Sequence, residues 1–307
     1  MDIFLQQMIN GLVLGSIYAL VALGYTMVYG ILGLINFAHG DIVMIGALVA
    51  LTVVQLLAGS GLPPLVIFMI ATVAAIMVCV ALGLTIERVA YRPLRRAPRL
   101  APLITAIGVS ILLQYAAALV WGKQYIPMPD LIVPTNLEIG GAQFSDLQAY
   151  IFLLAVAVMG SLMWFIKSSR LGRAMRATEQ NPDVAGLMGV DTNRIIALTF
   201  LIGSAIGAVA GVMVVLYYGL GHYFMGFMLG LKAFTAAVLG GIGNVAGAML
   251  GGLLLGIIES LASGYIGDLT GGLLGSNYRD VFAFLVLIGV LVLRPSGLMG
   301  QHLSDRA

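Results

Sequence analysis

Hydrophobic residues fall along this chain in runs of about the length that crosses a bilayer, roughly 20 apolar residues for a helix. Such runs, divided by polar punctuation, lie near residues 9–30, 42–58, 64–86, 102–121, 149–166, 195–218, 224–241, 245–262 and 281–293. They predict an all-α, polytopic membrane helical bundle of about eight to ten crossings, with some helices broken or glycine-rich, forming one transmembrane domain over residues 1–307.

The polar punctuation orients these runs, because short cytoplasmic loops accumulate Lys and Arg. One basic cluster is Arg88, Arg92, Arg95, Arg96 and Arg99, and a second is Lys167, Arg170, Arg173, Arg176 and Arg194; both are expected in the cytoplasm. Between them, residues 122–148 carry Asp130, Glu138 and Asp146 against Lys123 alone, with Pro127, Pro129 and Pro134, the pattern of an external loop. Counting outward, the tail with Arg294 and Arg306 lies inside if 224–262 crosses twice, and the parity changes if that region crosses once or re-enters.

Composition confirms lipid as the main solvent: 61% of the 307 residues are hydrophobic and 9% charged, and the mean hydropathy is +1.06, well outside the soluble range. A net charge of +2 gives no reason to expect a nucleic-acid partner. The single cysteine, Cys79, excludes a disulfide framework and a cysteine-based metal site. The 40 glycines suit membrane helices in close contact. Met1-Asp2-Ile3 lacks the basic start of a secretory signal, and the first Lys or Arg is Arg88, so the first run is read as a retained span. No Gly-x4-Gly-Lys-Ser/Thr phosphate loop occurs, so any ATP that drives this protein is bound by other chains.

A shift of 188 positions aligns Gly15 with Gly203, Ser16 with Ser204, Ala22 with Ala210, Tyr29 with Tyr217 and Gly33 with Gly221, a register in which 9–33 and 197–221 are repeats or chance matches in a Gly/Ala-rich chain. Two segments interrupt the apolar runs. Tyr29 to Asp41 carries Asn36, His39 and Asp41; the favoured expectation is an interfacial turn in which these residues cap helices, and the alternative is a pathway-lining break. Leu239 to Gly247 carries Gly240, Gly241, Gly243 and Asn244 and reads as a second break. Beyond it, Gly247, Gly251, Gly252 and Gly256 have the spacing of tight helix packing, as do Gly203, Gly207 and Gly211. Lys232 and Glu259 are the main ionisable residues within spans, and the favoured expectation is that each snorkels to the headgroups.

In the second basic loop, Asn181-Pro182-Asp183 is a helix start: Asn181 caps, Pro182 fits the first turn, and Asp183 favours the positive end of the helix dipole. Val184, Leu187 and Met188 then form a small apolar face on about two turns ending near Gly189. Such a helix is either a docking element for a cytoplasmic partner or one that lies in the headgroups.

Four stretches resemble a known family: Gly24 to Tyr29-Gly30 through Asn36-Phe37-Ala38-His39-Gly40; Ile86-Glu87-Arg88-Val89-Ala90-Tyr91-Arg92-Pro93; Ala197-Leu198-Thr199-Phe200; and Lys232-Ala233-Phe234-Thr235-Ala236-Ala237-Val238-Leu239-Gly240-Gly241-Ile242-Gly243. In order and nearly end to end, they are similar to the LivH-type permease subunits of bacterial branched-chain amino-acid ABC importers. The resemblance implies an inner-membrane, multi-pass permease without catalysis or cofactor of its own. Its implied partners are a LivM-type permease chain, two cytoplasmic ABC ATPase subunits and a periplasmic amino-acid binding protein. It also implies a coupling helix of the pattern Glu-Ala-Ala-x3-Gly, to which Asp183-Val184-Ala185-x3-Gly189 corresponds with departures at its first two positions. Urea and amide importers share this permease type. A self-sufficient secondary transporter would show more intramembrane carboxylates. An enzyme would need a converging nucleophile and base, which His39, His222 and His302 do not supply.

Overall fold

A computed structural model describes residues 2–95, 97–98, 100–131, 134–139, 141–271, 278–294 and 296–300. Arg96, Arg99, His302 and Arg306 of the sequence reading lie outside the described residues. The helices are α1 (Asp2–Leu32), α2 (His39–Leu57), α3 (Pro64–Ile86), α4 (Leu100–Trp121), α5 (Asp146–Ser168), α6 (Arg170–Gln180), α7 (Pro182–Leu187), α8 (Thr192–Tyr218), α9 (Met225–Gly240), α10 (Val245–Leu269) and α11 (Arg279–Leu293). Short strands β1 (Ile126–Pro127), β2 (Asn136–Ile139), β3 (Ala142–Ser145) and β4 (Leu220–Gly221) pair antiparallel, β1 with β4 and β2 with β3.

Each of the nine apolar runs corresponds to one helix, and seven of these are long and apolar enough to cross a membrane. The remaining two are shorter. α9 has 16 residues and α11 has 15, so at 1.5 Å per residue they reach about 24 and 22 Å, less than a hydrocarbon core of about 30 Å.

The two ends of the bundle are distinguished by their contacts. At one end, Gln6 near the start of α1 exchanges hydrogen bonds with the backbone of Gln143, at 2.7 and 2.8 Å. The other end carries the basic segments, and there the α9–α10 turn meets the tail: Leu298 N–H donates to Leu239 O at 2.9 Å and Met299 N–H to Gly240 O at 3.0 Å. Residues 296–300 therefore lie at the basic end, which is the two-crossing parity for 224–262.

The internal repeat exists, at an offset two residues from the sequence register. α1 ends on Gly33, at φ +65°, and α8 on Gly219, at φ +68°; α2 then starts at His39 and α9 at Met225, so the offset is 186. α3 packs on α2 and α8 as α10 packs on α9 and α1. The starts of α2 and α9 meet. A Cβ on Gly40 would lie 2.7 Å from Gly230 Cα, and one on Gly226 would lie 2.8 Å from Met44 Cβ, contacts that exchange under the same offset. Six-residue links, 33–38 and 219–224, thus return the chain toward the middle of the bundle before α2 and α9 begin.

Small residues set the closest helix contacts. α10 lies on α1 through Gly252 and Gly256 against Gly11, Gly15 and Ala19, and Gly211 of α8 lies on the α2 backbone at Val43 to Ala47. Dispersion and close packing hold such faces together in lipid, where burial from water contributes little. Gly256→Leu has no space at this crossing and is expected to cost about 1–3 kcal/mol or more through overpacking. Gly267→Leu, in open space on the same helix, is the control. Comparing the folded fraction surviving a detergent heat challenge checks this, with loss expected only for Gly256→Leu.

Candidate functional site

The predicted helix start is present in detail. Asn181 Oδ1 accepts from the backbone N–H groups of Asp183 and Val184, both at 3.1 Å, and Pro182 occupies the first turn of α7. Ala185 is buried against the bundle, whereas Val184, Leu187 and Met188 are 52%, 87% and 80% exposed. Gly189 follows at φ +84°, a left-handed turn. The result is a short apolar face standing free at the basic end.

The sequence reading missed α6, whose amphipathic pattern was hidden in the Arg-rich run. Ser169 caps it by accepting from Gly172 N–H at 2.8 Å. Its last turn connects α7 to the bundle: Glu179 faces Gly30 of α1, where a Cβ would lie 2.9 Å from Oε1, and approaches Gly243 of the α9–α10 turn. Burial pushes the Glu179 carboxyl up, with the Arg176 charge opposing.

Asn36, His39 and Asp41 are all buried. The capping role expected for them is not the one they have. No side chain caps α2 at Ala38; Asn36 Oδ1 instead accepts from the Tyr91 hydroxyl at 3.0 Å, and Asp41 Oδ1 from Gln114 Nε2 at 3.1 Å. The His39 ring fits between Gly24 of α1 and Gly207 of α8, edge-on to Tyr25 at 5.0 Å. The second group sits elsewhere, at the basic end. Gly241 and Gly243 take φ +106° and +92°, Asn244 Oδ1 accepts from Gly247 N–H at 3.0 Å, and Asn244 Nδ2 donates to Met299 O at 2.9 Å. The first group thus lies where α2 starts, against α1, α4 and α8, and the second at the turn between α9 and α10.

Residues 7–291 match the sequence family described as the branched-chain amino acid transport system permease component. The chain belongs to that family. The permease is 49% identical to the high-affinity branched-chain amino acid transport system permease protein BraD of Pseudomonas aeruginosa, over 97% of this chain and 96% of BraD. It is 47% identical to LivH of Escherichia coli over 97% and 96% of the two chains, and 25% identical to a probable LivH of Methanocaldococcus jannaschii over 95% and 91%.

The permease also contains an ionic cluster that the sequence reading dispersed to the headgroups. Lys232 Nζ lies 2.7 Å from Glu259 Oε1 and 2.7 Å from Asp280 Oδ1, and donates to the Tyr18 hydroxyl at 3.2 Å. Arg279 Nε is 3.7 Å from Glu259 Oε1. Lys232 and Glu259 do not snorkel: they are 4% and 1% exposed. α9 brings Lys232 inside the bundle, where two cations and two carboxylates neutralise one another. Spacing along the chain gave no signal of this, because the partners come from α1, α9, α10 and α11.

Proposed function

We propose that this chain is one permease subunit of an ATP-driven importer of branched-chain amino acids, and that it forms the translocation path with a homologous LivM-type chain. The observation that carries the reading is the end-to-end match at nearly half identity to permeases named for that transport. Two cytoplasmic ATPases supply the energy, since the sequence has no phosphate loop of its own, and a periplasmic binding protein delivers the amino acid. The basic end then faces the cytoplasm and residues 122–148 the periplasm of a bacterial inner membrane.

On this reading, Asp183, Val184, Ala185, Leu187, Met188 and Gly189 form the coupling helix, supported by the exposed apolar face of α7. Asn36, His39 and Asp41 border the path at the meeting of α2 and α9. Gly240, Gly241, Gly243 and Asn244, at the α9–α10 turn, are the path's further candidate residues at the basic end. The purified chain alone in liposomes is expected neither to hydrolyse ATP nor to import leucine, and both activities are expected once the partner permease, ATPases and loaded binding protein are added. Robust leucine uptake by the single chain would instead establish a self-sufficient transporter.

A further inference from the structure

A cavity of about 160 Å³ lies between α4, the start of α9 and the link before α2. Phe37, Ile111, Phe224 and Phe227 provide apolar and aromatic walls, while Ser110 and Gln114 provide a polar side. These two polar residues are buried, at 5% and 6% exposure. Gln114 Nε2 donates to both Ser110 Oγ and Asp41 Oδ1, each at 3.1 Å. Its amide hydrogens are thereby engaged, and its carboxamide oxygen is left as an acceptor on a side chain whose nitrogen holds the Asp41 carboxylate. Phe224, Phe227 and Ile111 are partly exposed, so the cavity opens between α4 and α9. Small-molecule sites have this composition: mostly apolar walls with a few convergent polar groups.

We propose that this cavity is a transit site for the substrate within the permease. The branched aliphatic side chain lies among Phe37, Ile111, Phe224 and Phe227, and the α-ammonium lies against the Gln114 carboxamide oxygen, favoured by the Asp41 charge. The inference rests on the importer reading and adds to it a selectivity that belongs to this chain as well as to the binding protein. An apolar pocket distinguishes ligands that differ by one methylene by about tenfold or more. Changing the volume of the cavity therefore shifts the preference between leucine and valine.

The test uses the complete importer in proteoliposomes, with wild-type binding protein and ATP, and measures initial uptake of leucine and valine separately. Ile111→Trp reduces the space and is expected to lower the leucine-to-valine ratio roughly tenfold. Ile111→Ala enlarges the space and is expected to move the ratio the other way. A defect of packing alone lowers both rates together, so an unchanged ratio in both variants overturns the cavity as a transit site. If Ile111→Trp prevents assembly, the ratio in Ile111→Ala decides by itself. A wild-type complex that imports neither amino acid overturns the importer reading, and this inference with it.

Discussion

Leu187→Asp is expected to abolish ATP-driven uptake while membrane insertion and pairing with the second permease chain remain normal. The Leu187 side chain is 87% exposed on α7, and its burial in an ATPase groove would be worth roughly 1.5–3 kcal/mol. Replacing it with a carboxylate removes that contribution and places an unpaired charge in the contact, so a total loss of about 3 kcal/mol or more corresponds to roughly hundredfold weaker docking. Gly189→Val is expected to give the same phenotype by another route, since its φ of +84° strains any β-branched residue. Uptake is measured together with co-purification of the ATPases. A helix that merely lies in the headgroups predicts transport at the wild-type rate in both variants, and that result would remove α7 from the coupling role.

The second large effect is expected at the buried ionic cluster. Lys232→Met leaves Glu259, 1% exposed, without its closest cation, Arg279 at 3.7 Å being the nearest that remains among the described residues, and leaves Asp280 without its close cation. Breaking a buried pair by removing one partner costs about 3–5 kcal/mol, because the remaining charge is uncompensated. The permease in detergent is therefore expected to lose much of its thermal stability. Glu259→Gln added to Lys232→Met removes the stranded charge and is expected to recover most of the loss, since an apolar or neutral replacement of a whole pair is often close to neutral. Thermal unfolding midpoints of the wild type, both single variants and the double variant give the coupling energy. Additive losses in the double variant would mean that Lys232 and Glu259 do not act as a pair.

Features that depend on local chemistry were legible in the sequence. Every apolar run became a helix, because a span satisfies its backbone hydrogen bonds within itself and needs only length and apolar side chains. The start of α7 was legible for a similar reason: Asn181, Pro182 and Asp183 act on N–H groups two or three residues away. Packing glycines were legible by their spacing, although which helix each approaches was not. α6 was obscured because its apolar positions are few and lie between arginines that the charge rule already explained.

The sequence alone determined the membrane-spanning class, the two basic segments and the capped α7 helix, all of which follow from hydropathy, charge and short-range capping. Only the tertiary structure decided that α2 and α9 begin inside the bundle and meet at Gly40 and Gly226, that the repeat has an offset of 186, and that Asn36, His39 and Asp41 do not cap α2. It also decided the fate of the charges in the spans. Lys232 meets Tyr18 across 214 residues of sequence and Glu259 across 27. Whether a charge snorkels or pairs depends on which helices stand beside it, and that is a property of packing which no local pattern encodes.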